Sequence, residues 1–158
     1  MGWYADTVRR LGHARWFAWL GSRVAPPVDR ALYRLTGGKV LATGKPVFPT
    51  LLLTTVGRRS GHERTTPLLF IRDGERLVVA GSNWGRPGHP AWALNLMANP
   101  RARAQIGRDV RECRARDATA DERESLWPKL DQVWPAYDTY RKRAGREIHV
   151  FVLEPDPG

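Results

Sequence analysis

Two apolar runs flank one short basic segment, and that arrangement constrains the chain more than any other feature. Leu51 to Leu53 lead into Thr54-Thr55-Val56-Gly57-Arg58-Arg59-Ser60-Gly61-His62-Glu63-Arg64-Thr65-Thr66-Pro67, and Leu68 to Ile71 lead out of it. Apolar runs of this length, interrupted by a Gly-bounded turn, predict two antiparallel strands joined by a tight loop. The loop concentrates arginines, open backbone amides and hydroxyls, a chemistry suited to phosphate or carboxylate oxygens. A solvated hairpin would use the same residues, so this segment alone leaves clamp and turn as equal readings.

Further along, predicted strands cover Thr50 to Val56, Pro67 to Arg72 and Leu77 to Ser82, with Asp73-Gly74 as the turn between the last two. A short helix from Pro90 to Ala98 stops at Asn99-Pro100. Two more strands, Ala102 to Ile106 and Val110 to Arg116, hinge at Gly107-Arg108-Asp109. Thr119-Ala120-Asp121-Glu122 is a capping box opening a helix to about Val133. Pro135 to Arg143 is a second helical piece, and Ile148 to Leu153 a closing strand. Residues 3 to about 36 have helical spacing, broken at Pro26-Pro27 and closed by Gly37-Gly38. The expected fold is α+β and mainly β: a small barrel or curled sheet of about six mostly antiparallel strands, with N-terminal and peripheral helices. The expected division is an N-terminal helical segment, 1–40, and a barrel domain, 41–158.

The 158 residues suffice for one core. The net charge of +10 comes from 26 basic residues, of which 22 are Arg, a balance that favours anionic partners. A GC-rich genome inflates Arg as well, so charge alone decides nothing. Cys113 is the only cysteine, which excludes a disulfide framework or thiolate cluster, and the four histidines lack metal-ligand spacing. No metal is expected. Neither a P-loop nor a G-x-G-x-x-G fingerprint is present, and no apolar stretch approaches the ~20 residues of a membrane span. A cytoplasmic protein is expected.

Three further segments carry candidate chemistry. Ala80-Gly81-Ser82-Asn83 ends a strand with small and hydrogen-bonding residues that allow a ring close to the backbone. In His89 to Pro100, Asn95 sits mid-helix among apolar neighbours, where its amide must find partners. Tyr137 and Tyr140, three apart, put two phenols on one helix face, either packed as core or poised to donate to an oxygen that gains charge.

In this order, T-T-V-G-R-R-S-G-x-x-R-T-T-P-L, a strand ending A-G-S-N, H-P-A-W-x-x-N-L-x-A-N-P, a W-P-x-L segment, the tyrosine pair and a terminal V-x-L-E-P resemble the deazaflavin-dependent nitroreductase family. The resemblance runs from about Leu51 to Pro155. It implies a split β-barrel that binds coenzyme F420 and passes a hydride from the reduced deazaflavin to a quinone, nitroaromatic or activated alkene. It further implies that Arg58, Arg59, Ser60 and Arg64 hold the cofactor's phosphodiester and glutamate tail. Thr65, Thr66, Pro67, Leu68, Leu69 and Phe70 would line the ring, as would Ala80, Gly81, Ser82 and Asn83, and Ala91, Trp92, Ala93, Leu94 and Asn95. Tyr137 would close over the ring, while Ser82 and Tyr140 would orient substrate; Tyr137, Tyr140 or water would supply the proton. Trp134 and Asn83 stand where the resemblance expects tyrosine and lysine, which leaves nitroimidazole reduction outside the inference.

Aromatic residues interleaved with Arg9, Arg10, Arg15 and Arg23 make residues 3–25 either an interfacial helix on anionic lipid, peripheral on the inner face of the membrane, or a cover on the barrel. A homodimer fits a small barrel with a shared groove. The rival readings are an FMN-binding split-barrel oxidoreductase, a cofactor carrier without catalysis, and a non-enzymatic basic nucleic-acid-binding protein. The last lacks a recognised motif, and no nucleic acid is expected.

Overall fold

The computed structural model describes residues 2–17, 19, 31 and 48–157. The predicted Pro26-Pro27 break and the helix through Leu35 lie outside these residues. A first helix, α1 (Gly2–Leu11), ends at a turn through Gly12 and His13, and residues 15–17 are helical again. The helical spacing that ran unbroken through Arg15 is therefore interrupted at Gly12.

Seven strands follow: β1 (Thr50–Val56), β2 (Glu63–Leu69), β3 (Ile71–Asp73), β4 (Arg76–Ala80), β5 (Arg101–Ile106), β6 (Asp109–Asp117) and β7 (Val150–Pro155). Helices α2 (Ala91–Ala98), α3 (Ala120–Val133) and α4 (Ala136–Ala144) complete the described chain. The strands form one sheet in the order β2-β1-β5-β6-β7-β4-β3, with every described pairing antiparallel. This is the α+β, mainly-β architecture expected, with seven strands rather than about six.

The extra strand arises because the predicted run Pro67 to Arg72 divides. Residues up to Leu69 pair with β1 in the register Thr50↔Leu69 to Val56↔Glu63, and Ile71 to Asp73 pair instead with β4. Between them the Phe70 amide donates to the Pro49 carbonyl at 3.1 Å, at the crossing from one strand pair to the other.

Period-two alternation sorts the sheet's side chains into two cores. Leu77, Val79, Phe151 and Leu153 face one side, with Leu51, Leu53, Cys113 and the α2 residues Trp92, Ala93 and Leu96. Val78, Ala80, Val150 and Val152 face the other, with Leu126 and Leu130 of α3 and Tyr137 and Tyr140 of α4. The predicted capping box holds α3 at its start: Glu122 N–H donates to Thr119 Oγ1 at 3.2 Å, and Thr119 N–H donates to Glu122 Oε2 at 2.8 Å. The same Glu122 accepts both terminal nitrogens of Arg116 at 2.7 Å, tying α3 to β6. These contacts, Arg116 above all, pull its carboxyl down to about 2.

Candidate functional site

The β1–β2 hairpin closes through Gly57. Its amide donates to the His62 carbonyl at 2.8 Å, and its carbonyl accepts from Gly61 N–H at 2.8 Å. A Cβ at Gly57 would lie 2.7 Å from Ser60 Oγ and 3.1 Å from the His62 carbonyl, so only glycine permits this tight return.

Between this turn and the first half of α2 runs a groove of about 570 Å³, lined by Gly57, Arg58, Arg59, Ser60, Arg64, Thr65, Thr66, Ala91, Trp92 and Asn95. Register explains part of the lining. Arg64 lies opposite Thr55 and Thr66 opposite Leu53, and cross-strand partners share a face. Arg64 and Thr66 therefore extend the face that α2 covers. Thr65 points to the other side, where its hydroxyl meets that of Thr54 at 2.9 Å.

Asn95 joins the two walls. Buried to 3% exposure, its Oδ1 accepts from the Arg58 amide at 3.1 Å, and its Nδ2 donates to Thr55 Oγ1 at 3.1 Å. Thr55 is itself buried. The mid-helix amide thus finds its partners in protein and fixes where the arginine loop leaves the strand.

Among the described residues, Arg58, Arg59 and Arg64 form no ion pair, although ten other basic side chains do. Three guanidiniums that form no ion pair among the described residues, gathered beside the Ser60 and Thr66 hydroxyls, fit a ligand carrying phosphate or carboxylate groups.

Of the residues predicted from sequence, Arg58, Arg59, Ser60, Arg64, Thr65, Thr66, Ala91, Trp92 and Asn95 meet at this groove. Leu68, Phe70 and Ala93 lie in the core beneath it. Pro67 pairs with Leu52, and Leu94 is half-buried on α2. Leu69 and Ala80 belong to the opposite core. Gly57 was missed by the sequence reading, and its place bounding the turn was the available signal.

Tyr137 and Tyr140 sit in that opposite core, away from the groove lining. Tyr140 Oη donates to the Gly12 carbonyl at 2.8 Å and accepts from Trp134 Nε1 at 3.3 Å. Burial pushes its phenol up to about 12, and burial together with Tyr140 pushes Tyr137 higher still. Both remain protonated near neutral pH. The N-terminal segment covers this cluster. His13 Nδ1 is 2.6 Å from Thr139 Oγ1, Arg143 donates to the His13 carbonyl at 2.6 Å, and the Phe17 ring meets Trp84 at 6.4 Å.

Gly81, Ser82 and Asn83 open the loop after β4, where Asn83 and Trp84 take φ of 47° and 58°. Left-handed backbone at a non-glycine residue costs about 1–3 kcal/mol and concentrates at functional sites. Ser82 is half-buried there, while Trp84 tilts against Tyr140 at 6.4 Å.

The seven-stranded antiparallel sheet, its α2 cover and the cationic groove define a curled half-barrel with a site suited to an anionic ligand. Residues 28–155 match the family model described as F420H(2)-dependent quinone reductase, and the chain belongs to that family. An F420H(2)-dependent quinone reductase of Mycobacterium tuberculosis (strain H37Rv) is 32% identical over 146 residues, covering 85% of this chain and 95% of that protein. A second protein of the same strain, provisionally named for the same activity, is 40% identical over 111 residues, covering 70% of this chain and 92% of its own. Among solved structures, an F420-H2 dependent reductase (FDR-A) aligns with a TM-score of 0.63 and 34% identity, over 67% of this chain and 94% of that one. A structure described as a domain-swapped dimer aligns with a TM-score of 0.65 and 30% identity, over 80% and 95%.

Proposed function

We propose that the groove between the Arg58–Arg64 turn and α2 holds F420H2 while a quinone is reduced beside it. The family makes the chain an F420H2-dependent quinone reductase; the assignment of residues to roles is the present reading. One observation carries it: three guanidiniums that form no ion pair among the described residues meet at one groove between the turn and α2. The Arg58, Arg59 and Arg64 side chains, with the Ser60 hydroxyl, would bind phosphate and carboxylate oxygens. Trp92 and the α2 backbone would orient the flat ring, and Asn95 would keep the turn in place. When bound, the reduced deazaflavin supplies the hydride.

The chain's own contribution is orientation and exclusion of water, which supply most of the rate in a hydride transfer that needs no covalent enzyme intermediate. A quinone that accepts a hydride needs one proton to become the hydroquinone. In the described geometry the Tyr140 hydroxyl already donates its hydrogen bond to the Gly12 carbonyl. The proton is therefore assigned to water, Tyr137 being buried in the opposite core, with Ser82 orienting the acceptor. Nitroaromatics and activated alkenes are further acceptors under this reading.

Residues 1–40 are read as a cover on the barrel of residues 41–158, a role supported by the contacts of Gly12, His13 and Phe17. The outer side of the cover supports a lipid contact as well. Trp3, Trp16 and Trp19 are 77%, 60% and 54% exposed, with Arg10 and Arg15 also exposed, a composition suited to an anionic interface. No described helix is long and apolar enough to cross a membrane. A homodimer is the assembly suggested by the domain-swapped relative.

The deciding experiment is steady-state oxidation of F420H2, followed optically, against a panel of quinones, enones and nitroaromatics. Quinone-dependent oxidation supports the assignment. Binding of FMN with no turnover of F420H2 contradicts it.

A further inference from the structure

Arg146 follows α4 and makes an unusual set of contacts. Its Nη2 donates to the carbonyls of Gly81 at 3.2 Å, Ser82 at 3.4 Å and Gly88 at 3.0 Å. Nη1 reaches the Glu147 carbonyl at 3.3 Å. One guanidinium therefore holds both ends of the loop between β4 and α2. Asn83 Nδ2 adds a second tie to the Gly88 carbonyl at 2.8 Å.

The loop so closed contains three consecutive left-handed residues, with φ of 47° at Asn83, 58° at Trp84 and 77° at Gly85. A tryptophan stays in that region only where its surroundings over-determine it. Arg146 forms no ion pair among the described residues, and its Nε is buried without a partner. A cation placed here without a carboxylate is spent on backbone carbonyls.

Nη1 also lies 3.2 Å from His89 Nδ1. Guanidinium only donates, so Nδ1 must carry its lone pair, and His89 is neutral with its proton on Nε2. Besides Arg146, His89 faces the ring of His149, tilted at 39° with centroids 4.9 Å apart. His149 Nδ1 is 2.6 Å from Asp117, which lies 3.8 Å from Arg123, and Arg123 pairs with Glu147 at 2.8 Å. Protonation at Nδ1 would turn the acceptor into a donor and set a second positive charge against Arg146. Burial, then Arg146, then His149, hold the His89 pKa below its ordinary value.

We propose that Arg146 is a positioning residue that fixes the Ser82–Gly88 loop for acceptor binding, and that its hold requires His89 neutral. This rests on the reading above that Ser82 faces the reacting partners.

The test compares the parent with Arg146→Ala, Arg146→Lys and His89→Asn across about pH 5.5 to 8.5, which brackets the ordinary histidine pKa. It reads kcat, KM for the quinone and Kd for the cofactor. Arg146→Ala raises quinone KM about tenfold, as expected for losing a charge-assisted hydrogen bond, and leaves cofactor Kd within about twofold. Added guanidinium ion restores part of that loss in Arg146→Ala and none in Arg146→Lys. His89→Asn keeps an acceptor oxygen that does not titrate, so it matches the parent at the alkaline end and lacks the parent's rise in KM at the acid end.

Unchanged quinone KM in both arginine variants, or an acid rise retained in His89→Asn, overturns the proposal. Should Arg146→Ala fail to fold, Arg146→Lys and His89→Asn decide it alone. Should the parent oxidise no F420H2 at all, the functional assignment fails separately. Hydrogen exchange at amides 82–86 and 88 then still reads the clamp: faster exchange in Arg146→Lys supports it, and unchanged exchange refutes it.

Discussion

Replacing Asn95 with alanine tests how the core sets the groove. The substitution removes the acceptor of the Arg58 amide and the donor to Thr55 Oγ1, both at 3.1 Å. Thr55 is 1% exposed, so its oxygen loses its partner out of reach of water, at about 1–3 kcal/mol. Arg58 is exposed, so its amide beside the groove can be hydrated, which limits its share to about 1 kcal/mol. Alanine returns roughly 0.5 kcal/mol of helix propensity. The net expectation is about 2–3 kcal/mol of destabilisation in a urea titration with unchanged slope. Because the amide held by Asn95 belongs to the first arginine of the loop, cofactor Kd should weaken by about tenfold, one charge-assisted contact's worth. Asn95→Asp separates the two effects. It retains an acceptor for Arg58 but places a negative charge beside the groove, so anion binding should fall further than stability does. A variant within about 0.5 kcal/mol of the parent, the range of an ordinary surface substitution, would refute the reasoning.

Arg58→Ala or Arg64→Ala should weaken F420 binding by about 1.5–3 kcal/mol, measured by fluorescence titration, with thermal stability unchanged. Thr119→Ala should cost about 1 kcal/mol of unfolding free energy through the lost cap of α3. The Arg116 guanidinium holds the Glu122 carboxyl, when folded, at about 2, well below its ordinary 4.5. Its stabilising contribution is therefore complete above about 4.5 and lost as pH falls towards about 2; an acid titration of Glu122→Gln should lack that part of the slope. Gly12→Ala would place a Cβ 2.5 Å from Trp134 Cζ2. It should undock the N-terminal segment, seen as faster hydrogen exchange at amides 2–17 with the sheet unaffected.

Much of the fold was legible because its signals are local. Thr50–Val56, the Asn99-Pro100 stop and the Thr119–Glu122 box each depend on a few adjacent residues, and each stands where predicted. The first half of β2 was not legible. Glu63 to Thr66 are polar and sit on an edge strand paired only with β1, so no alternation marks them. The division at Phe70 depends on a change of strand partner, which a sequence pattern cannot carry.

The groove was legible as an arginine loop, yet its dependence on Asn95 and Thr55 needed the packing of α2 on β1. The contacts of Arg146 with Gly81 and Ser82 span 65 and 64 residues and left no local trace. The tyrosine pair was legible as a shared helix face. Its burial beneath Gly12 was not, because nothing near Tyr140 encodes a partner 128 positions away.

A crystal structure of the protein with F420 bound tests the central claim most directly. The account predicts the phosphodiester and acidic tail against the Arg58, Arg59 and Arg64 side chains, with the ring extending along α2. A tail bound elsewhere, with the Gly57–Arg64 turn facing bulk solvent, would contradict it.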